Sequence, residues 1–219
     1  GTSGNTVKIN GTVNPVTFSY TTSPTITNNQ TDAAGIQTIL AAGVTLTTSA
    51  VAASNITQGS TNNIVYIAKM DVASLPVTVT AIQFTLTGTH DADDLPIVSF
   101  YHNPTAPSLA GAALLNNVPA TFAAPHAYNI PIAFAAPITI TAGATGYFIV
   151  AVNVNAAGTS GNTVKINGAV NPVTFSYTTS PTITNNQTDA AGTQTILAAG
   201  VTLTTSAVAA SNITQGSTN

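Results

Sequence analysis

The last 62 residues of this chain, 158–219, repeat the first 62 at an offset of 157, with Thr12/Ala169 and Ile36/Thr193 as the only differences. A long fixed period constrains the fold before any residue type is weighed. Each period must be a unit that buries its own core or stacks on its copies, and such arrays serve reach, scaffolding or adhesion more often than catalysis. The chain reads as a window on a tandem array, one full period framed by parts of its neighbours.

The composition says what such a unit is made of. Nine residues are charged, Lys8, Lys69, Lys165, Asp32, Asp71, Asp91, Asp93, Asp94 and Asp189, and 44% of the chain is hydrophobic. That is enough apolar matter for a packed core, and the low charge is unlike that of disordered segments. The polar surface is then Thr, Ser, Asn and Gln, which do not titrate, so contacts should depend weakly on pH and salt. A net charge of −3 with three lysines lacks the basic footprint that nucleic acid or an anionic membrane surface requires. The longest apolar stretch, 130–140, is broken by Pro131 and Pro137 and is about half the length that spans a bilayer, so no membrane span is expected. The absence of cysteine removes disulfides and thiolate chemistry.

Short alternating runs rich in Val, Ile, Thr and aromatics, bounded by Gly, Pro, Asn and Ser, predict strands near 44–48, 64–72, 77–87, 97–102, 128–134, 137–141, 147–153, 163–167, 173–177 and 194–197. Only 108–116 has the look of a helical turn. Within 77–87 the apolar phase runs Val77, Val79, Ala81 and then Ile82, Phe84, Leu86, which predicts a bulge that moves the inward face by one residue. Both faces of 147–154 are apolar, the mark of a central strand. About ten strands per period predict an all-β fold, an antiparallel two-sheet β-sandwich of immunoglobulin-like, Greek-key type.

The small, polar, aromatic-poor run 185–214, copied from 28–57, holds the expected junction. One complete unit then covers 44–200, with 1–43 closing the preceding unit and 201–219 opening the next. Val7, Ile9, Val16, Phe18 and Tyr20 become strand residues in need of a sheet, supplied either by an upstream repeat of a longer chain or by a neighbouring molecule that accepts them as added strands.

Few residues suggest chemistry. His90, Asp91, Asp93 and Asp94 form the one ionisable cluster. Asp91, Asp93 and Asp94 could begin a calcium site, which needs six to eight oxygens, or could simply cap backbone groups in a polar turn. No other cofactor is expected. Neighbouring carboxylates in one turn do not flank a sugar as a glycosidase pair must. His90, His102 and His126 follow no zinc-ligand spacing, and no nucleophile elbow occurs. Tyr66, Tyr101, Tyr128 and Tyr147 are candidate stacking platforms for a surface glycan, or core residues with the hydroxyl at the rim.

Three stretches carry a family resemblance: NITQGSTNNIVYIAKMDV (55–72), VTVTAIQFTLTGTHDADDLPIVSFYHN (77–103) and TGYFIVAVNVNAAGTSGNTVKING (145–168). Gln58, Gly59, Ser60, Phe84, Ala92, Asp93, Tyr147, Phe148, Gly161 and Asn162 fall on the pattern. The chain resembles the β-sandwich repeats of large Bacteroidetes-type cell-surface and secreted adhesin-like proteins and the domain associated with the N-terminus of BNR-repeat sialidases. That resemblance implies export and a non-catalytic module. The box that marks sialidase propeller blades is missing, and so is Trp, so no sialidase activity is implied. Taken together, the sequence predicts a structural or adhesive module of a long extracellular fibre or cell-surface filament, in contact with neighbouring copies of itself. Two alternatives stand beside it: a glycan- or surface-binding module that acts by avidity, and a filament subunit polymerised by strand donation.

Overall fold

The computed structural model describes residues 42–127, 131–166, 168, 170–189 and 192–200, together with 6–9, 16–17, 19 and 35–38. Every regular element among them is a strand: β1 (Thr6–Val7), β2 (Gln37–Thr38), β3 (Gly43–Ser49), β4 (Ser54–Thr57), β5 (Asn63–Ala73), β6 (Val77–Gly88), β7 (Ile97–Asn103), β8 (Ala113–Pro119), β9 (His126–Ala127), β10 (Ile132–Ile140), β11 (Thr145–Val152), β12 (Thr163–Ile166), β13 (Val173–Tyr177), β14 (Thr182–Asn186) and β15 (Gln194–Leu197). Two sheets face each other. One has the order β14-β3-β5-β11-β7-β8, the other β10-β6-β12-β15-β4, with β9 and β13 also on β6.

The core fills the space between them. Leu46, Met70, Phe100, Phe148 and Val150 from the first sheet meet Val79, Phe84, Leu86, Ile166 and Ile196 from the second. The phase switch expected in β6 is present: Val77, Val79 and Ala81 are buried, then Ile82, Phe84 and Leu86. The register slips where it should, since Ser176 pairs with Ala81 but Tyr177 pairs with Val79, which leaves Thr80 without an opposite number, as a bulge does. β11 is the central strand predicted, flanked by β5 and β7, and Phe148 to Val152 are buried on both faces.

Two features depart from the sequence reading. The 108–116 stretch forms no helix: turns run through 108–111, and β8 begins at Ala113 and pairs with β7. Alanine and leucine are strong helix formers, but intrinsic propensity is a weak force beside tertiary context, and the open sheet edge beside β7 outweighs it. The sheets are also not purely antiparallel. β14 lies parallel to β3, Thr182 opposite Gly43, and β15 lies parallel to β4, Gln194 opposite Ser54. β14 and β15 thus flank β3 and β4, strands about 140 residues earlier in the chain.

Register also fixes the direction of the chain through the sandwich. β3 starts at Gly43 opposite Ala73, the end of β5, and β6 starts at that same N-terminal pole after a short turn. β6 finishes at Gly88 opposite Val164 of β12. β15 runs antiparallel to β12, with Thr195 on Thr163, so it finishes at the Gly88 end. β4, parallel to β15, finishes there too. β3 therefore begins at one pole of the sandwich and β15 ends at the opposite one.

β1 and β2 pair with each other, Thr6 on Thr38 and Val7 on Gln37. Adding 157 to each number gives Thr163 on Thr195 and Val164 on Gln194, the β12–β15 pairing. Both copies adopt the same local register. They differ in cover: Ile9 is 66% exposed and Val16 is exposed, whereas their counterparts Ile166 and Val173 are buried. Phe18 and Tyr20 lie outside the described residues, as does the side chain of Val7.

Candidate functional site

Among the described residues, polar contacts gather at the two poles of the sandwich, where β3 begins and where β4 and β15 finish. At the C-terminal pole the turn after β4 meets the segment 155–162 and the end of β15. Gln58 donates its backbone N–H to the Leu197 carbonyl at 2.9 Å, and Val154 donates to Ser60 at 2.9 Å. The Gln58 side chain ties the segment before β12 to the residues after β15, its Nε2 donating to the Gly158 carbonyl and its Oε1 accepting the Ala199 N–H at 3.0 Å. Ser160 Oγ accepts the Ala198 N–H at 3.2 Å. Gly161 donates to Ile196 and Ile196 to Asn162, both at 2.8 Å.

Behind this seam lies the acidic turn. Asp94 is fully buried. Its carboxylate accepts the Asp91 N–H at 2.9 Å, the Thr159 N–H at 2.5 Å and Asn162 Nδ2 at 2.7 Å. Burial pushes its pKa up, but the hydrogen bonds from Asn162, Thr159 and Asp91 outweigh that and hold it below the ordinary value. Asp91 caps Asp93 N–H at 3.0 Å and accepts the Thr159 hydroxyl at 3.2 Å. Asp93 faces solvent. Among the described residues no three His, Cys, Asp or Glu side chains converge to hold a metal. The three carboxylates proposed for calcium are thus not gathered as ligands: one points inward, one caps the turn and one faces out.

The histidines are likewise apart. His90 is buried, with neither ring nitrogen in a well-formed hydrogen bond; burial lowers its pKa against the opposing pull of the Asp91 and Phe122 backbone and of the Asp94 and Asp91 charges. His102 tilts against Phe148 at 5.1 Å between centroids, and burial lowers its pKa too. His126 stacks on exposed Phe122 at 4.0 Å.

Of the candidate glycan platforms, Tyr66 is buried. Its hydroxyl meets Thr48 Oγ1 at 2.6 Å and donates to Gln187 Oε1 at 3.1 Å. Burial pushes its pKa up to about 12, Thr48 opposing and Asp189 adding. Tyr101 and Tyr147 are half-buried, the Tyr101 hydroxyl donating to Asn62 at 2.7 Å, and Tyr128 lies outside the described residues.

The closure of the unit rests on glutamines that the sequence reading passed over. Gln187 donates to the Val173 carbonyl at 2.8 Å. Gln194 donates to the Ala52 carbonyl at 3.0 Å and accepts the Ser54 hydroxyl. A lone glutamine heading the apolar run of β15 was the available signal. Buried amides of this kind must be paired, which ties β4 to β15 across some 140 residues. At the N-terminal pole, Thr182 donates to the Ala42 carbonyl at 2.8 Å, and Val72 and Gly143 hold the β10–β11 turn, with Val72 donating to Ala144 at 3.0 Å and Gly143 donating to Val72 at 2.7 Å.

No family model matches the chain. No curated protein matches it either. Among solved structures, the seventh ScaB type I cohesin from Pseudobacteroides cellulosolvens is similar over 75% of this chain and 98% of its own length, at 15% identity and a TM-score of 0.27. A chain of the CaDoc0917–CaCohA2 complex is similar over 70% of this chain and 99% of its own, at 14% identity and a TM-score of 0.25. Scores this low carry no argument about partner or activity. No helix among the described residues is long and apolar enough to cross a membrane.

Proposed function

We propose that the 157-residue period is a structural module, strung pole to pole with its copies into a long extracellular fibre or cell-surface filament with an adhesive or projecting role. The observation that carries this reading is the polarity of the chain: β3 begins at one pole, β15 ends at the other, and the sequence after β15 starts the period again. Copies joined that way extend along a line, so that length is the product. The complete unit is taken as 44–200, with 1–43 and 201–219 belonging to its neighbours. β6 contains 12 residues and runs from pole to pole, which sets the rise per unit at roughly 40 Å from about 3.3 Å per strand residue. A surface with three lysines and no arginine also offers trypsin-like proteases few sites, which suits the outside of a cell.

Electron microscopy of the native array tests this. Continuous density with an axial repeat near 40 Å is expected; chain breaks bridged by exchanged strands would replace it with the strand-donation reading, and isolated globules would refute it. One observation favours the avidity reading as a second choice. The stacked Phe122 and His126 pair, with Phe122 44% exposed, offers a flat face that a sugar ring can cover, once per period. Binding of a glycan array that Phe122→Ala abolishes would support it.

A further inference from the structure

The sequence QTILAAG occurs at 37–43 and again at 194–200, so Ala42 and Ala199 hold the same place in the period. The complete unit shows both sides of that place. Seen from the unit that is ending, Ala199 has its N–H held by Gln58 at 3.0 Å, and the preceding Ala198 has its N–H held by Ser160 at 3.2 Å. Seen from the unit that is beginning, Ala42 is buried within the core cluster and its carbonyl accepts from Thr182 at 2.8 Å. We propose that in the array this one alanine is shared: its N–H is fixed by the C-terminal pole of one unit, its methyl and carbonyl by the N-terminal pole of the next, so that the two poles dock directly and no free linker separates them.

This deepens the fibre reading and rests on it. The occupant of each C-terminal pole is the next copy of the same unit, committed by chain length: only two residues separate the end of β15 at Leu197 from the position of Gly43, the first residue of β3. Flexible linkers are built from several unpinned Gly or Ser residues. Here both residues are alanines with a bond already assigned. The surfaces that meet are the turns at 58–62 and 155–161 on one side and those at 74–76 and 141–144 on the other. The joint also brings in Leu75, 41% exposed at the N-terminal pole, and Leu197, 40% exposed at the C-terminal pole, as apolar surface to bury. The acidic turn supports the joint from behind, since Asp94 fixes Thr159 and Asn162, which flank Ser160.

Two measurements test the proposal. In the 219-residue chain, amide exchange at Ala199 is expected to be slowed at least ~10-fold relative to an unstructured alanine. Gln58→Ala should remove that protection while β5 and β11 keep theirs, which shows that the variant folds. Free exchange at Ala199 in the unaltered chain overturns the proposal. In the full-length array, electron microscopy should give a narrow distribution of angles between neighbouring units, and two glycines inserted after Ala199 in every period should broaden it while leaving both cores intact. Units strung in line but as loosely hinged in the native array as with the insertion would overturn the shared joint and leave the fibre reading standing. Units that are not strung at all would overturn both.

Discussion

Replacing Asp94 by alanine is the sharpest test of what the acidic turn does. The substitution removes an acceptor with no solvent exposure and strands three donors, the N–H groups of Asp91 and Thr159 and the amide of Asn162. A buried donor left unpaired costs about 1–3 kcal/mol. Two of the three belong to pole segments that water can reach once the carboxylate is gone, so the expected total is about 3–5 kcal/mol. For a unit of this size that lowers Tm by roughly 10 °C. Urea unfolding should show an earlier midpoint with the slope unchanged, since the surface exposed on unfolding stays the same. Asp94→Asn keeps an acceptor and should recover part of the loss. The pH dependence has a definite sign. The folded-state pKa lies below the ordinary 3.8, so this stabilisation is present above the unfolded value and is lost as pH falls through the folded one. Acid unfolding of Asp94→Asn should therefore lack part of the limb below that ordinary value. A loss under about 1 kcal/mol for Asp94→Ala, with the acid limb intact, would refute the assignment.

Three further outcomes follow from particular contacts. A Cβ on Gly192 would sit 1.9 Å from the Val51 carbonyl oxygen and 2.7 Å from its carbon, so Gly192→Ala should push the segment before β4 off β15 and cost about 3 kcal/mol, whereas Gly35→Ala, at the exposed counterpart, should stay within about 0.5 kcal/mol in the same melt. His90 and His102 are buried with lowered pKa values, so the unfolded chain takes up protons first as pH drops below the ordinary 6.5, and stability should decline there until the folded values are reached; replacing both by leucine should flatten that slope in pH-dependent urea unfolding. Added calcium should leave the melting temperature unchanged, because Asp91 and Asp94 already spend their oxygens on N–H and hydroxyl donors; a calcium-dependent rise in Tm would return the turn to the metal reading.

What could be read from the sequence was whatever local pattern decides. The phase switch at Ala81 and Ile82, the two-sided apolar run of β11 and the exact span of β15 all follow from which neighbours along the chain are apolar. β4 and β14 were not legible, because SNIT and TITNN are short and polar and become strands only by lying beside β15 and β3, about 140 residues away. The same distance hid the role of the carboxylates. As a run of charge, residues 91–94 suggest a metal; the donors that Asp94 meets in the fold, Thr159 and Asn162, stand 65 and 68 positions away and are invisible in that run. The importance of Gln58 was legible only as a letter in a motif, since its partners Gly158 and Ala199 lie 100 and 141 positions away along the chain.

A chain that carries a near-identical copy of 62 of its residues has a hazard, since each strand of the copied segment has a duplicate that fits the same slot. Here GVTLTTSAVAASNIT occurs at 43–57 and at 200–214, and both copies suit the place beside β5, β14 and β15. The polarity of the unit keeps them apart. The slot for β3 begins at Gly43 at the N-terminal pole, whereas the second copy emerges two residues after Leu197 at the opposite pole. Those two residues reach about 7 Å, against the roughly 40 Å that separates the poles. The duplicate cannot displace the first copy within its own unit unless β15 peels away from β12 and β4, which would open the core at Ile196. A longer connection should remove this protection. A flexible insertion of 20 residues after Ala199 has a root-mean-square span of about 25 Å and extends well past 40 Å. Amide resonances of β5 and β14 should then double, as the two copies compete for one slot. Single resonances with that insertion, from a unit that remains folded, would mean that the short junction is not what selects the correct copy, and that selection lies instead in the order in which the strands fold.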